Sequence, residues 1–324
     1  MTPSMTVDVH VTAEARRAAL EADVRTGLSR HPKSLPPTWF YDDRGSELFD
    51  EITRLPEYYL TRAERSILDA HAADIAAASG ADTLVELGSG TSEKTRLLLD
   101  AMSASGRLRT FVPFDVSEET LRRAAEDITG AYGIEVRAVV GDFHRHLSEL
   151  PVDGHKMVAF LGSTIGNLAP GERRRFLDDL GATMTPEDHL LLGTDLVKDG
   201  GRLLAAYDDS AGVTAEFNRN VLSVLNHELG AHFQPEDFDH VALWDEEARW
   251  IEMRLRSRLP QIVEIEDLAM QVGFEAGEDL RTEISAKFTP EQVARELRGG
   301  GFTVDASWMD PARDFLLSLA RPDP

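Results

Sequence analysis

Thr83-Leu84-Val85-Glu86-Leu87-Gly88-Ser89-Gly90-Thr91-Ser92-Glu93-Lys94-Thr95 is a short apolar strand that ends in a glycine turn and passes into a helix-forming segment. Glycine lets the backbone approach a ligand with no Cβ in the way, and the first free amides of a helix favour a negative or polar group. In a wound α/β sheet, ligands bind at the carboxyl ends of the strands. A dinucleotide-binding loop would place a third glycine where Glu93 stands, so the stretch departs from the nicotinamide pattern.

Short apolar runs recur on either side of this loop. They lie at residues 83–87, 110–114, 136–140, 157–161 and 189–192, and the segments between them (91–102, 118–128, 144–150 and 170–180) mix charged and apolar residues as covering helices do. Five such runs predict a parallel sheet wound with helices. The rhythm is lost from residue 198 to 274, where a long helical stretch at 213–229 precedes tryptophans spaced among charges. It returns with a helix at 289–298, opened by Thr289-Pro290-Glu291, and two strands at 302–309 and 315–320. Upstream, residues 13–28 read as an amphipathic helix and His31-Pro32-Lys33-Ser34-Leu35-Pro36-Pro37 as a breaker. Thr61-Arg62-Ala63-Glu64 has the spacing of a capping box. The expected architecture is α/β, a Rossmann-like sheet domain with a second, inserted α+β domain. The sheet domain is expected over 63–196 plus 287–324, the second over 10–62 plus 197–286.

Composition narrows the function. The formal charge of −23, from 57 acidic and 34 basic residues, repels polyanions and leaves no basic stripe for a phosphate backbone, so no nucleic-acid partner is expected. The chain has no cysteine, which removes disulfides, thiolate metal sites and cysteine nucleophiles together. No apolar run approaches the roughly 20 residues that span a bilayer. A cytoplasmic, monomeric protein with no membrane partner is expected.

Glu86 stands two residues before the glycine turn and Asp115 ends the next strand, which resembles the adenosylmethionine-binding pattern of Rossmann-like methyltransferases. Asp115 is suited to accept both ribose hydroxyl hydrogens. Gly141-Asp142-Phe143 follows the third strand and suits an adenine clamp, with Asp142 taking the amino hydrogen and Phe143 stacking on the ring. Each residue alone reads sooner as a turn carboxylate or a core phenylalanine, and the ligand reading rests on their standing at consecutive strand ends. Lys94 falls in the expected first turn of the helix, where the dipole disfavours a cation, so a ligand carboxylate such as the methionine end of the cofactor would relieve it. Gly88 is the closest-approach position of the loop.

Phe160-Leu161-Gly162-Ser163-Thr164-Ile165-Gly166-Asn167 repeats the glycine turn at the fourth strand. Together with Lys33-Ser34-Leu35-Pro36-Pro37, Trp39-Phe40-Tyr41-Asp42, Arg54-Leu55-Pro56-Glu57-Tyr58-Tyr59, Gly193-Thr194-Asp195-Leu196-Val197-Lys198, Ala206-Tyr207-Asp208 and Phe217-Asn218-Arg219-Asn220, this run resembles the histidine Nα-methyltransferases of ergothioneine biosynthesis over nearly the whole chain. The resemblance implies a class I methyltransferase sheet, S-adenosylmethionine as methyl donor and L-histidine as acceptor. It implies a histidine pocket supplied by the second domain over the cofactor cleft. Tyr58 and Asn167 would hold the α-amino and α-carboxylate groups, Tyr207 would add a contact to the carboxylate end, Met253 would form the wall near the ring, and Tyr41 would stand beside the amine. In Leu280-Arg281-Thr282-Glu283-Ile284-Ser285-Ala286-Lys287-Phe288 the alternation of a strand puts Glu283 and Ser285 on one face, able to address the two ring nitrogens. Apart from the resemblance, these two read as the polar face of an edge strand and the tyrosines as half-buried packing.

The family chemistry needs little from the protein beyond alignment. Methyl transfer from a sulfonium is a direct displacement on an unprotonated amine, and desolvating an ammonium moves its proton toward release. No histidine offers itself as a base, and a metal is not expected, since displacement from a sulfonium gains nothing from a Lewis acid. Three alternatives stay open on sequence: a same-fold N-methyltransferase of another amino acid or small amine, a nicotinamide-dependent oxidoreductase, and a silent cofactor-binding regulator.

Overall fold

The computed structural model describes residues 4–323 other than 91, 144, 151 and 152, so Thr91 of the glycine loop and His144 of the expected covering helix lie outside the described residues. The chain forms two compact units, one of Met1–Val11, Leu60–Val197 and Phe288–Pro324, the other of Thr12–Tyr59 and Lys198–Lys287. None of the described helices is long and apolar enough to cross a membrane.

The first unit is built on an eight-stranded sheet. Its spatial order is Ser4–Val9, Glu135–Val140, Thr110–Asp115, Thr83–Leu87, Lys156–Phe160, His189–Asp195, Phe315–Pro322 and Phe302–Met309. The first six pair in parallel, and Phe315–Pro322 runs antiparallel to both of its neighbours. Their near-continuous apolar character follows from this position, because a parallel sheet is covered on both faces. Leu84, Phe111, Val136 and Met157 are fully buried in one core with Ile67 and Leu68 of the helix Leu60–Ser79. Chain order reverses between Thr83–Leu87 and Lys156–Phe160, and such a switch point is where a wound sheet opens a ligand crevice.

Two segments differ from the sequence expectation. Among the described residues of 145–150 there is only the short 3₁₀ turn Leu147–Glu149 where a covering helix was expected. The edge strand Ser4–Val9, by contrast, was not expected; it pairs along its whole length with Glu135–Val140.

The second unit holds a four-stranded sheet in the order Lys33–Ser34, Asp279–Ala286, Trp250–Ser257 and Phe238–Asp245, a separate hairpin of Gln261–Ile265 and Met270–Phe274, and the helices Ala13–Leu28, Asp43–Arg54, Gly200–Tyr207 and Val213–Leu229. Asp279–Ala286 pairs with Trp250–Ser257 on one side; on the other, Lys33–Ser34 pairs only with Leu280 and Arg281, so the strand is interior at that end. Asp42 caps the helix Asp43–Arg54 by accepting from Gly45 N at 2.7 Å, and the same oxygen accepts from Asn220 Nδ2 at 2.7 Å. Two sequence motifs far apart in the chain are thereby tied by one carboxylate.

Candidate active site

In the first unit, three strand ends are laced together by their own backbone. Gly88 N and Ser89 N donate to Phe114 O at 2.8 and 3.1 Å, and Gly141 N donates to Asp115 O at 2.9 Å. The Asp115 carboxylate accepts from Gly90 N at 2.9 Å and from Ser117 N at 3.0 Å. Burial pushes its carboxyl upward while these amides pull the other way. Asp115 therefore fixes the glycine loop at the same carboxylate that the resemblance gives to the ribose. Gly141 is needed because a Cβ there would meet Phe114 Cζ at 2.6 Å. Phe143, one residue beyond Asp142, packs edge-on to Phe160 with centroids 5.3 Å apart and to Phe176 at 6.0 Å.

The loop itself has room and unmet polarity. Gly88 and Gly90 take φ of 70° and 49°, and a Cβ on either would meet nothing within 4 Å. Among the described residues, Glu86 Oε2, Ser89 Oγ and Ser92 Oγ are buried without a hydrogen-bond partner. Burial raises Glu86 to about 7, opposed by the hydroxyl of Thr95. Open space beside positive-φ glycines and three orphaned polar atoms fit a polar ligand such as S-adenosylmethionine.

Lys94 is placed differently from the expectation. The helix begins at Arg96, so Lys94 lies ahead of its first turn, and its ammonium pairs with Glu64. Glu64 is fully buried and also accepts from Gly162 N at 2.7 Å. The helix that carries it starts at Leu60, and its side chain turns inward instead of closing a capping box. Sequence reasoning missed this residue. The available signal was its place on the apolar stripe of Leu60, Ala63, Ile67 and Leu68, where a carboxylate needs a partner. Glu64→Gln is expected to leave Lys94 without its counter-charge and the Gly162 turn with a weaker acceptor. Affinity for S-adenosylhomocysteine, read by calorimetry, should fall roughly tenfold, and an unchanged affinity would separate Glu64 from the cofactor site. Asn167 closes the 3₁₀ turn Thr164–Asn167 at the end of the neighbouring strand and is half-buried.

In the second unit the candidate residues form two groups. Tyr41 packs edge-on against Phe49 and Phe217, each with centroids 5.7 Å apart, and Phe49 packs edge-on against Tyr58 at 6.2 Å. The second group is centred on Asp279–Ala286, where Glu283 stands opposite Met253 and Ser285 opposite Ile251. Tyr207 OH and Ser285 Oγ share a hydrogen bond of 2.7 Å. Tyr207, Met253 and Ser285 are buried and Glu283 half-buried, and desolvation raises the Glu283 carboxyl to about 7 against the opposing charge of Lys287. Tyr207 is held from behind as well: its carbonyl accepts from His240 Nε2 at 2.8 Å. The other ring nitrogen of His240 meets Asn218, whose side-chain oxygen accepts from Thr282 Oγ1 at 2.6 Å.

A model of the family described as histidine-specific, SAM-dependent methyltransferases matches residues 20–322. The chain is 57% identical over 312 residues to the histidine N-alpha-methyltransferase of Mycolicibacterium smegmatis, covering 96% of this chain and 97% of that one. Identity to the histidine N-alpha-methyltransferase of Mycobacterium tuberculosis is 56% over the same length and shares. Ergothioneine biosynthesis protein 1 of Neurospora crassa is 33% identical over 229 residues, which cover 67% of this chain and 26% of that protein.

Proposed function

We propose, for a chain that belongs to the histidine-specific, S-adenosylmethionine-dependent methyltransferase family, the stepwise transfer of three methyl groups to the α-amine of L-histidine, giving hercynine, the first step toward ergothioneine. The observation that carries it is identity of 57% running through 96% of the chain, both units included. Family membership leaves no place for the nicotinamide-dependent oxidoreductase. S-adenosylmethionine is the methyl donor, and when bound it supplies a sulfonium methyl open to displacement.

The first unit acts as the cofactor domain. Asp115 takes the ribose, Asp142 and Phe143 the adenine, and Lys94 the methionine carboxylate, beside the open loop at Gly88. The second unit supplies most of the histidine contacts. Glu283 and Ser285 address the ring nitrogens, Met253 walls the ring, Tyr207 and Tyr58 reach the amino-acid end together with Asn167, and Tyr41 orients the amine. A grip on ring and carboxylate suits repeated transfer, since a site that held the amine by its hydrogens would lose them one methylation at a time. No side chain need act as nucleophile; the protein's work is alignment and desolvation. The charge of −23 and the absence of cysteine suit a cytoplasmic, monomeric enzyme.

The test is mass spectrometry of L-histidine incubated with the protein and S-adenosylmethionine. The expected product carries three added methyl groups, all on the α-nitrogen. A product methylated on the ring, or transfer to tryptophan or tyrosine in preference to histidine, would replace the reading with that of another small-amine methyltransferase.

A further inference from the structure

Asn218, in the run Phe217-Asn218-Arg219-Asn220 of the helix Val213–Leu229, has no part in the reading so far, yet it is fully buried. Its Nδ2 stands 3.1 Å from Arg254 O and 2.9 Å from His240 Nδ1, and its Oδ1 accepts from Thr282 Oγ1 at 2.6 Å. A carbonyl only accepts, so Arg254 O requires the amino group of Asn218 to face it, and the second amino hydrogen goes to His240. His240 Nδ1 is therefore bare, and Nε2 carries the ring proton. The far end agrees, because Nε2 faces the carbonyl of Tyr207 at 2.8 Å, which again needs a donor. Burial lowers the imidazole pKa, which suits the neutral ring that both ends demand.

We propose that Asn218 is a positioning residue of the acceptor pocket: through His240 and Thr282 it sets the backbone from which Tyr207, Met253 and Glu283 reach the substrate. This rests on the histidine reading above. Tyr207 ends the helix Gly200–Tyr207, whose last carbonyls have no partner within the helix, and His240 supplies one. Thr282 marks a change of register: Arg281 stands opposite Arg254 and Glu283 opposite Met253, so Thr282 is the extra residue of a bulge. A bulge re-aims the side chains beside it. The Thr282 hydroxyl reaches both Asn218 Oδ1 and, at 3.0 Å, Met253 O, which pins the bulge to the facing strand.

Apolar residues of the same shape would fill this space and leave no group to be satisfied. What the polar set adds is direction, since a satisfied network has one arrangement whereas apolar contacts tolerate small slides. The three contacts assigned to the acceptor come from separate elements, a helix end and two strands. Asn218 is the residue through which all three are referred to one point.

The test is a set of substitutions read by calorimetric affinity for L-histidine with S-adenosylhomocysteine present, by KM and kcat, and by thermal melting. Thr282→Val removes the hydroxyl at constant shape and Asn218→Ala removes the amide. Each is expected to weaken histidine binding roughly 10- to 30-fold, mainly in KM, with affinity for S-adenosylhomocysteine retained. Thr282→Ser returns the hydroxyl and should recover most of the loss. His240→Gln keeps a donor toward Tyr207 O but loses the acceptor for Asn218, and should weaken histidine binding roughly tenfold. Combined with Thr282→Val, its loss should stay well below the product of the two, because both act through Asn218. Thr282→Val carries the test if the alanine variant does not fold. A lower melting temperature with histidine affinity unchanged, a serine variant no better than valine, or losses that simply multiply overturn the inference while leaving the histidine reading intact. A wild-type protein that binds no histidine overturns both.

Discussion

Asp115→Ala is expected to weaken S-adenosylhomocysteine binding roughly 1000-fold. One carboxylate serves two purposes: it accepts from the amides of Gly90 and Ser117 at 2.9 and 3.0 Å, fixing the glycine loop, and it is the acceptor proposed for the ribose hydroxyls. Two charge-assisted hydrogen bonds at about 2 kcal/mol each amount to about 4 kcal/mol, which is close to three decades of affinity. Loosening of the loop adds to that. Asp115→Asn separates the two contributions, since its amide oxygen still accepts from Gly90 but no charge remains to draw in the hydroxyls. Its loss should fall between wild type and alanine. Calorimetric affinity within about threefold of wild type for the alanine variant would remove Asp115 from the cofactor site, because even one such bond is worth more than that.

Local pattern carried much of the first unit. A glycine turn after an apolar strand, repeated carboxylates at strand ends, and alternating short runs each report a backbone requirement, and the backbone answers them: Gly88 at positive φ, Asp115 bonded to Gly90, Gly141 too close to Phe114 for any Cβ. The strand Ser4–Val9 was not legible because its alternating, half-exposed sequence is that of an edge, and its partner lies about 130 residues away. The segment 144–150 has the composition of a covering helix, but three residues of 3₁₀ turn are all it forms among those described. For the strand, tertiary pairing, absent from any local window, decided the outcome.

The polar contacts were hidden for a related reason. Glu64 and Lys94 are 30 residues apart, and Tyr207 and Lys287 are 80 apart. Nothing in either neighbourhood announces the other, yet each pair puts a charge in the interior where only a specific partner makes it tolerable. Composition could have flagged them in one way: a charged residue at a position whose neighbours in the period are all buried. Glu64 among Leu60, Ile67 and Leu68 meets that description.

Glu283→Gln is expected to change stability and histidine affinity in opposite directions. Burial lifts the folded-state carboxyl from 4.5 to about 7. Between those values the unfolded chain has released its proton and the folded chain still holds it, so stability falls as pH rises from about 4.5 to 7 and is level beyond. The full cost at pH 8 is about 3 kcal/mol for a shift of this size. Glutamine is nearly the same shape and cannot ionise. The variant should therefore unfold at higher denaturant than wild type at pH 8 and at the same denaturant near pH 4.5. Glu86, raised to about 7 by the same cause, keeps its own contribution in both proteins and cancels from the comparison. Histidine binding should move the other way: the ionised carboxylate is the charged acceptor for a ring N–H, and an amide in its place should cost roughly 100-fold in affinity at pH 8. Because free wild-type Glu283 is largely protonated at pH 6, the gap between the two proteins should narrow there. A glutamine variant that is no more stable than wild type at pH 8 would mean that the carboxylate is solvated after all, and an unchanged affinity for histidine would take it out of the pocket.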